Sequence, residues 1–458
     1  MQKTVVINVV GLTNRLIGEH TPFIASFLKK GAASRIKPML PGVTCSAQST
    51  YLTGKWPSEH GIVGNGWYFK EECEVKFWRQ SNNLVQSEKI WDALKKENPE
   101  FRCSNMFWWY NMYSNADYSV TPRPNYLADG RKIPDIYSYP SNLRDHLQNE
   151  LGTFPLFQFW GPKTSIKSSK WIADASILTD KKYDPNLTLI YLPHLDYNLQ
   201  RYGLDFSVIK KDLSEIDEVV RHLAGYYDQK DTNIILLSEY GITNVSNPIH
   251  LNRILRKEGL IDIRVERGLE LMDAGASRAF AVADHQIAHV YIKDDTIKEK
   301  VKALLKEVPG VEKVFSGDDL IEMNLAHERC GDLLVVADKD SWFTYYFWLD
   351  DALAPDYARM VDIHKKPGYD PVEMLTDPKD PFVMPKVVAK LIKKKMGFRT
   401  VLDIIPLKAE LVKGSHGRIS EEEDDFPIFI TNKKSVLNKE SFLATEVCGL
   451  ITKHLTDD

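Results

Sequence analysis

Cysteine is scarce and scattered. Cys45, Cys73, Cys103, Cys330 and Cys448 show no C-x-x-C spacing and no even set, so neither a disulfide framework nor a cysteine-based zinc knuckle is expected. A reducing cytoplasm is the simplest setting for five such thiols. Long apolar runs are missing as well: none reaches the roughly 18 residues of a membrane-spanning helix. Excess charge of one sign is absent, with 59 Lys and Arg against 63 Asp and Glu and a formal net charge of −4. That balance supplies no bulk field for a nucleic acid polymer or an anionic membrane. There is no internal repeat and no low-complexity linker. The chain leads straight into Val5-Val-Ile-Asn-Val-Val10. A single Lys precedes this run and no small-residue cleavage site follows it, which reads as a buried first strand rather than a signal peptide.

What is present is ordinary globular material: 458 residues, 43% hydrophobic and 27% charged. Two or three domain-sized units would fit, as would one large α/β core with an inserted cap. After the first strand, Thr21 is a good N-cap, Pro22 suits the first helical position and Gly31 ends the helix. Leu187–Leu192 and Asn233–Leu237 read as short buried strands, with an amphipathic helix over Phe206–Tyr227 between them. Strand, helix and strand at this spacing predict an α/β fold with a mostly parallel central sheet and helices on both faces. A smaller α+β cap domain is inserted. Its strands are expected at Ala279–Ala283, Ala288–Ile292, Leu333–Ala337 and Phe343–Phe347, with a helix at Ile297–Val308. Core pattern returns with strands at Val401–Leu407 and Pro427–Thr431 and a closing helix over Lys439–His454. The expected domains are an α/β core at 1–244 with cap elements near 65–130, an insertion at 245–360 and a return to the core at 361–458. Lys393–Lys395 reads as the polar side of an amphipathic helix whose apolar side is Val387, Val388 and Leu391.

Chemistry-bearing residues fall at the carboxyl ends of the strands, where open α/β sheets bind ligands. Thr44 follows a Pro41-Gly turn and begins a helix-like stretch that stops at Gly54. A hydroxyl there meets unpaired backbone N–H groups that favour an anion; a plain cap is the competing reading. Asp196 ends a strand, with Gln200 one helical turn on and His194 two residues before. It is either a ligand or the cap of the next helix. Glu239 and Tyr240 follow the next strand, where a carboxylate either holds a cation or faces solvent. His416 lies in Gly414-Ser-His-Gly417, whose glycines permit close backbone approach. His285 and His289, four apart, sit between strand-like flanks and are read as structural, like His364. Trp67 and the aromatic run Phe107-Trp-Trp-Tyr-Asn-Met-Tyr113 either wall a pocket or fill the core.

These residues, in order, resemble the alkaline phosphatase superfamily. They are most similar to its nucleotide pyrophosphatase/phosphodiesterase and phosphonoacetate hydrolase branch. The resemblance runs from the opening strand through Thr21-Pro-Phe-Ile-Ala-Ser-Phe-Leu-Lys-Lys-Gly31 and the Thr44 motif. It continues through His60-Gly-Ile-Val-Gly-Asn65, Asp196, Ser238-Glu-Tyr-Gly241, Ser415-His-Gly417 and Pro427-Ile-Phe-Ile430. It implies a Thr nucleophile, Thr44, attacking phosphorus between two zinc ions, with Asp196 and His416 in one metal site. Four positions depart from the pattern: Val10 replaces an Asp, Gln200 a His, and Glu239-Tyr240 an Asp-His pair. The implied protein acts on a phosphorylated small molecule, either a phosphodiester, a pyrophosphate or a phosphonate. Thr44 and Glu239 are its catalytic residues, and Asp196, His416 and Glu239 hold one divalent ion, zinc or manganese. Asn65, Trp67, Tyr240 and Gln200 contact substrate. The alternative is a metal-free or inactive relative that binds a phosphorylated or aromatic small molecule.

Overall fold

The computed structural model describes residues 1–128, 131–398 and 400–456, with the backbone alone at 394; the side chain at 394, within the basic run, lies outside the described residues. Nine strands form the main sheet, in the spatial order Ser441–Leu443, Ala32–Lys37, Ile428–Thr431, Asn233–Leu237, Thr4–Val9, Leu187–Leu192, Cys103–Met106, Tyr118–Pro122 and Ile136–Tyr139. The central strands are parallel, with Val9 opposite Leu192 and Asn8 opposite Leu237. Ile428–Thr431 enters antiparallel beside Asn233–Leu237. The middle strands are fully buried apolar runs, as expected where helices cover a parallel sheet. A separate four-stranded antiparallel sheet holds Ala279–Asp284, Ile287–Ile292, Leu333–Ala337 and Val311–Ser316.

Most expected elements form where the pattern places them. Leu187–Leu192 and Asn233–Leu237 are strands, and the amphipathic helix runs over Phe206–Asp228 with Asp205 as its side-chain cap. Several expectations fail. Val401–Leu407 forms no strand, and of Phe343–Phe347 only Phe343 does, as the last residue of Ser341–Phe343. The closing helix is shorter, Glu446–Thr456, because Ser441–Leu443 pairs with Ala32–Lys37. In the helix Val383–Lys395, Val387 is buried but Val388 and Leu391 are 50% and 44% exposed, so its apolar side is only partly covered.

Pro22–Lys30 is a helix with Pro at its start, but the Thr21 hydroxyl does not cap it. That hydroxyl donates to the Leu16 carbonyl. The free N–H groups of Phe23 and Ile24 donate instead to the Asp217 carboxylate, at 2.9 and 2.8 Å. A carboxylate satisfies a helix N-terminus as well as a hydroxyl does, and adds a favourable interaction with the dipole.

Candidate functional site

The carboxyl ends of the parallel strands converge on Thr44. It is the first residue of the helix Thr44–Thr53, which ends at Gly54 in the left-handed conformation. Its side chain is buried, and its Oγ1 lies 3.0 Å from the Tyr240 phenolic oxygen. Tyr240 donates to Asp196 Oδ1 at 3.2 Å, and Gln200 Nε2 donates to Asp196 Oδ2 at 2.7 Å. Asp196 and Gln200 share one face of the helix His194–Tyr202, as their spacing of four requires. Tyr369 completes the chain by donating to Gln200 Oε1 at 2.9 Å. Thr44, Tyr240, Asp196, Gln200 and Tyr369 therefore form one buried hydrogen-bonded series.

Glu239 lies on the other side of Thr44. Its Oε1 accepts from Gln48 Nε2 at 2.6 Å and from Asn8 Nδ2, while Oε2 is buried without a hydrogen bond. Burial pushes its carboxyl up to about 8, against hydrogen bonds from Gln48, Asn8 and Thr44. Burial likewise raises Asp196 to about 7, against hydrogen bonds from Tyr240 and Gln200. Tyr240 is held well above the usual phenol range by burial and by the charges of Asp196 and Glu239, so at neutral pH it is a hydrogen-bond donor and not a phenolate.

His416 stacks on Tyr240 with ring centroids 3.6 Å apart and planes 6° from parallel. Its Nδ1 donates to the Gly42 carbonyl at 2.8 Å, and its Nε2 is buried without a partner. Gly42 N also donates to the Gly417 carbonyl. The glycines around His416 are needed for close approach, as expected: a Cβ on Gly414 would lie 2.1 Å from the Leu199 carbonyl oxygen.

Other residues are placed differently from expectation. Because 194–202 is helical from its first residue, His194 does not share a direction with Asp196; it faces Asp212 and Glu215. Asn65 is buried, accepting from Cys45 N and donating from its backbone and side chain to Asp284. Trp67 is buried against Phe69 and Arg329. The tryptophans lining the cavity above Thr44 are instead Trp78, Trp109 and Trp160. Of the aromatic run, Trp109 reaches this cavity and its backbone N–H donates to Gln48 Oε1, while Phe107 packs in the core against Phe154.

His285, read from sequence as structural, borders the site. It stacks on Tyr369 at 3.6 Å, lies 3.7 Å from the His416 ring and lines the cavity. It occupies the tip between Ala279–Asp284 and Ile287–Ile292 with φ of 63°. The short polar break between two apolar runs was the available signal for such a tip. His289 turns away to the Val63 carbonyl, so the two histidines do not converge. Tyr369 and Asp284, absent from the expected set, also belong to this neighbourhood.

The cavity measures about 670 Å³. Thr44, Asp196, Tyr240 and His285 lie among its polar lining residues, and Val383, Met384, Val387 and Leu391 contribute an apolar wall. For a divalent ion, the donors left are Asp196, the orphaned His416 Nε2 and the orphaned Glu239 Oε2. Asp196 Oδ1 and His416 Nε2 are 4.0 Å apart, whereas bonds of about 2.0–2.1 Å place tetrahedral ligands about 3.3–3.4 Å apart. Among the described residues, Asp196, His416 and Glu239 do not bring their ligand atoms within 4.8 Å of one another, so as placed the three do not close around an ion. Nor does a second ion fit, because Val10 is a fully buried hydrocarbon and Tyr240 is a neutral phenol bonded to Thr44 and Asp196.

Residues 4–370 match the sequence model of the type I phosphodiesterase/nucleotide pyrophosphatase family. Among curated proteins, the chain is 24% identical over 264 residues to ectonucleotide pyrophosphatase/phosphodiesterase 2 of Saccharomyces cerevisiae, covering 53% of this chain and 48% of that protein. It is 22% identical over 306 residues to ectonucleotide pyrophosphatase/phosphodiesterase C27A7.1 of Caenorhabditis elegans, covering 65% and 32%. The chain thus spans about half the length, or less, of these relatives. Among solved structures, murine ectonucleotide pyrophosphatase/phosphodiesterase 5 has a TM-score of 0.59 at 16% identity, over 99% of this chain and 95% of that one. Phosphonoacetate hydrolase from Sinorhizobium meliloti, in complex with phosphonoformate, has a TM-score of 0.60 at 12% identity, over 99% and 96%. At such identities the structures establish a shared fold alone. With its sequence match over most of its length, the chain belongs to the type I phosphodiesterase/nucleotide pyrophosphatase family.

Proposed function

We propose that this protein is a hydrolase or phosphoryl-transfer enzyme acting on a phosphodiester, pyrophosphate or phosphonate small molecule, with Thr44 as its nucleophile. The observation that carries this reading is the buried Thr44 hydroxyl at a helix N-terminus, 3.0 Å from Tyr240, at an apolar-walled cavity. The helix N-terminus stabilises negative charge on the phosphoryl oxygens. Thr44 Oγ1 attacks phosphorus and passes its proton through the Tyr240 hydroxyl to Asp196 in its ionised form, or, above about pH 8 where Glu239 ionises, to the Glu239 carboxylate. The ester group leaves into the aromatic part of the cavity, and water then releases the phosphoryl group from Thr44. The complex of a variant of murine ectonucleotide pyrophosphatase/phosphodiesterase 5 with AMP supports a substrate of this general size.

The family is typically divalent-metal dependent. Asp196, His416 and Glu239 are the donors for one such ion, zinc or manganese, but holding it would require the three side chains to draw closer than they stand here; it would then supply positive charge to the phosphoryl oxygens. A cytoplasmic setting belongs to the same proposal, supported by five unbridged cysteines. Val10 and the Gln200 amide on Asp196 favour the second reading, a metal-free or inactive protein that binds a phosphorylated or aromatic ligand.

Turnover of chromogenic phosphodiesters and nucleotide pyrophosphates by the purified chain decides between them. We expect activity that Thr44→Ala abolishes with the fold unchanged by circular dichroism. Equal turnover in that variant removes Thr44 as nucleophile, and no turnover in either protein favours the binding reading.

A further inference from the structure

We infer that His194, Asp212 and Glu215 form a second divalent transition-metal site, separate from the Thr44 centre and tying the Asp196 helix to its neighbour. Their ligand atoms all lie within 4.8 Å of one another, and among the described residues no other trio of His, Cys, Asp or Glu does so. His194 Nε2 is 3.3 Å from Asp212 Oδ1 and 3.4 Å from Glu215 Oε2. With metal–nitrogen and metal–oxygen bonds of about 2.0–2.1 Å, adjacent ligands of a tetrahedral ion stand about 3.3–3.4 Å apart. Both edges match that spacing.

A second observation points the same way. The His194 side chain is 3% exposed, and neither ring nitrogen makes a hydrogen bond. An imidazole placed merely to pair with carboxylates would aim an N–H at one of them at about 2.7–3.0 Å. Here Nε2 stands between the two oxygens, beyond that range from either. Burying an imidazole this way is costly unless a further partner binds it.

The local sequence builds the trio. Asp212 and Glu215 are three apart on the helix Phe206–Asp228 and so share one face. His194 begins the helix His194–Tyr202, and Asp196, two residues on, lies about 200° around it, facing Thr44's neighbours instead. Asn198 Nδ2 donates to Asp212 Oδ1 at 2.8 Å and is held in turn by Arg201. Such outer hydrogen bonds orient ligating carboxylates. Glu215 is 29% exposed, which leaves an entry path and room for a water as fourth ligand. One histidine and two carboxylates suit zinc and its borderline neighbours rather than calcium or magnesium. An ion here fixes the start of the helix that carries Asp196 and Gln200. The site does not depend on the Thr44 centre, so the inference stands whether or not Thr44 turns over.

The test uses chelator-treated full chain titrated with Zn²⁺ and with Co²⁺, read by elemental analysis after dialysis and by visible absorption. One equivalent and the strong absorption bands of tetrahedral Co²⁺ are expected. Asp212→Asn/Glu215→Gln should abolish both, whereas Asp196→Asn/His416→Gln should keep them. If the first double variant fails to fold, Glu215→Gln alone, at a partly exposed position, should weaken Zn²⁺ binding by at least about tenfold. Wild-type protein that binds no ion overturns the site. So does binding that survives the Asp212 and Glu215 changes, or that disappears with Asp196 and His416.

Discussion

The hydroxyl oxygens of Thr44 and Tyr240 lie 3.0 Å apart, joined across 196 positions of sequence. Tyr240 is thereby the link between the candidate nucleophile and Asp196. Tyr240→Phe keeps the ring stacked on His416 and removes only this link. We expect kcat to fall by about 10²–10⁴ with KM little changed, the usual loss for a proton-transfer partner. Steady-state kinetics on a phosphodiester check it, and an unchanged kcat would leave Tyr240 with a packing role alone.

Burial raises Asp196 to about 7 and Glu239 to about 8. Both folded-state values exceed those of the unfolded chain, about 3.9 and 4.3. The neutral acids therefore add stability that is complete below the unfolded values and is lost as pH rises through about 7 and 8. In chelator-treated protein, the stability of wild type relative to Asp196→Asn/Glu239→Gln should fall steadily from pH 5 to 8. Urea unfolding at several pH values measures this difference, in which the other titrating groups cancel. A difference independent of pH would contradict the raised acids.

Lys366 is buried between Asp370 and Glu373, 2.7 Å from each. Glu373 also accepts from Trp160 Nε1 and from the Asp362 backbone, so this network holds the loop that brings Tyr369 to Gln200. Lys366→Met leaves two buried carboxylates without their cation. A loss of about 3–5 kcal/mol is expected by chemical denaturation, together with weaker binding of substrates that fill the aromatic cavity.

Gly414 has no room for a side chain, since its Cβ would meet the Leu199 carbonyl at 2.1 Å. Gly414→Ala must displace one of the two backbones. A cost of about 1–3 kcal/mol follows from such overpacking, and the shift should misplace His416 two residues on. Thermal unfolding and turnover should both respond; wild-type values in both would mean that the backbone yields more easily than its packing indicates.

Much of this was legible locally. The strands Leu187–Leu192 and Asn233–Leu237 announce themselves as unbroken apolar runs, and Phe206–Asp228 by its apolar stripe. The Thr44 turn, the Asp196–Gln200 spacing and the glycines around His416 carried the family resemblance. Val401–Leu407 misled because an apolar run forms a strand only where it pairs with another, and here Ile404, Ile405 and Leu407 instead pack against the cluster of Trp342, Tyr345 and Trp348. His285 was missed because its role depends on which way a hairpin tip points, and residue order alone does not encode that.

The sequence by itself determined the α/β class, the family and the set of polar residues at strand ends, because burial period and chain order are local properties. Only the tertiary structure decided that Asp217 rather than Thr21 caps the helix Pro22–Lys30. It alone decided that His194 turns to Asp212 and Glu215 while Asp196 turns to Tyr240, and that Tyr369 and His285 close around the site. Each of these rests on partners brought together by sheet order and helix packing, and a buried polar group takes whichever partner that packing places within hydrogen-bond reach.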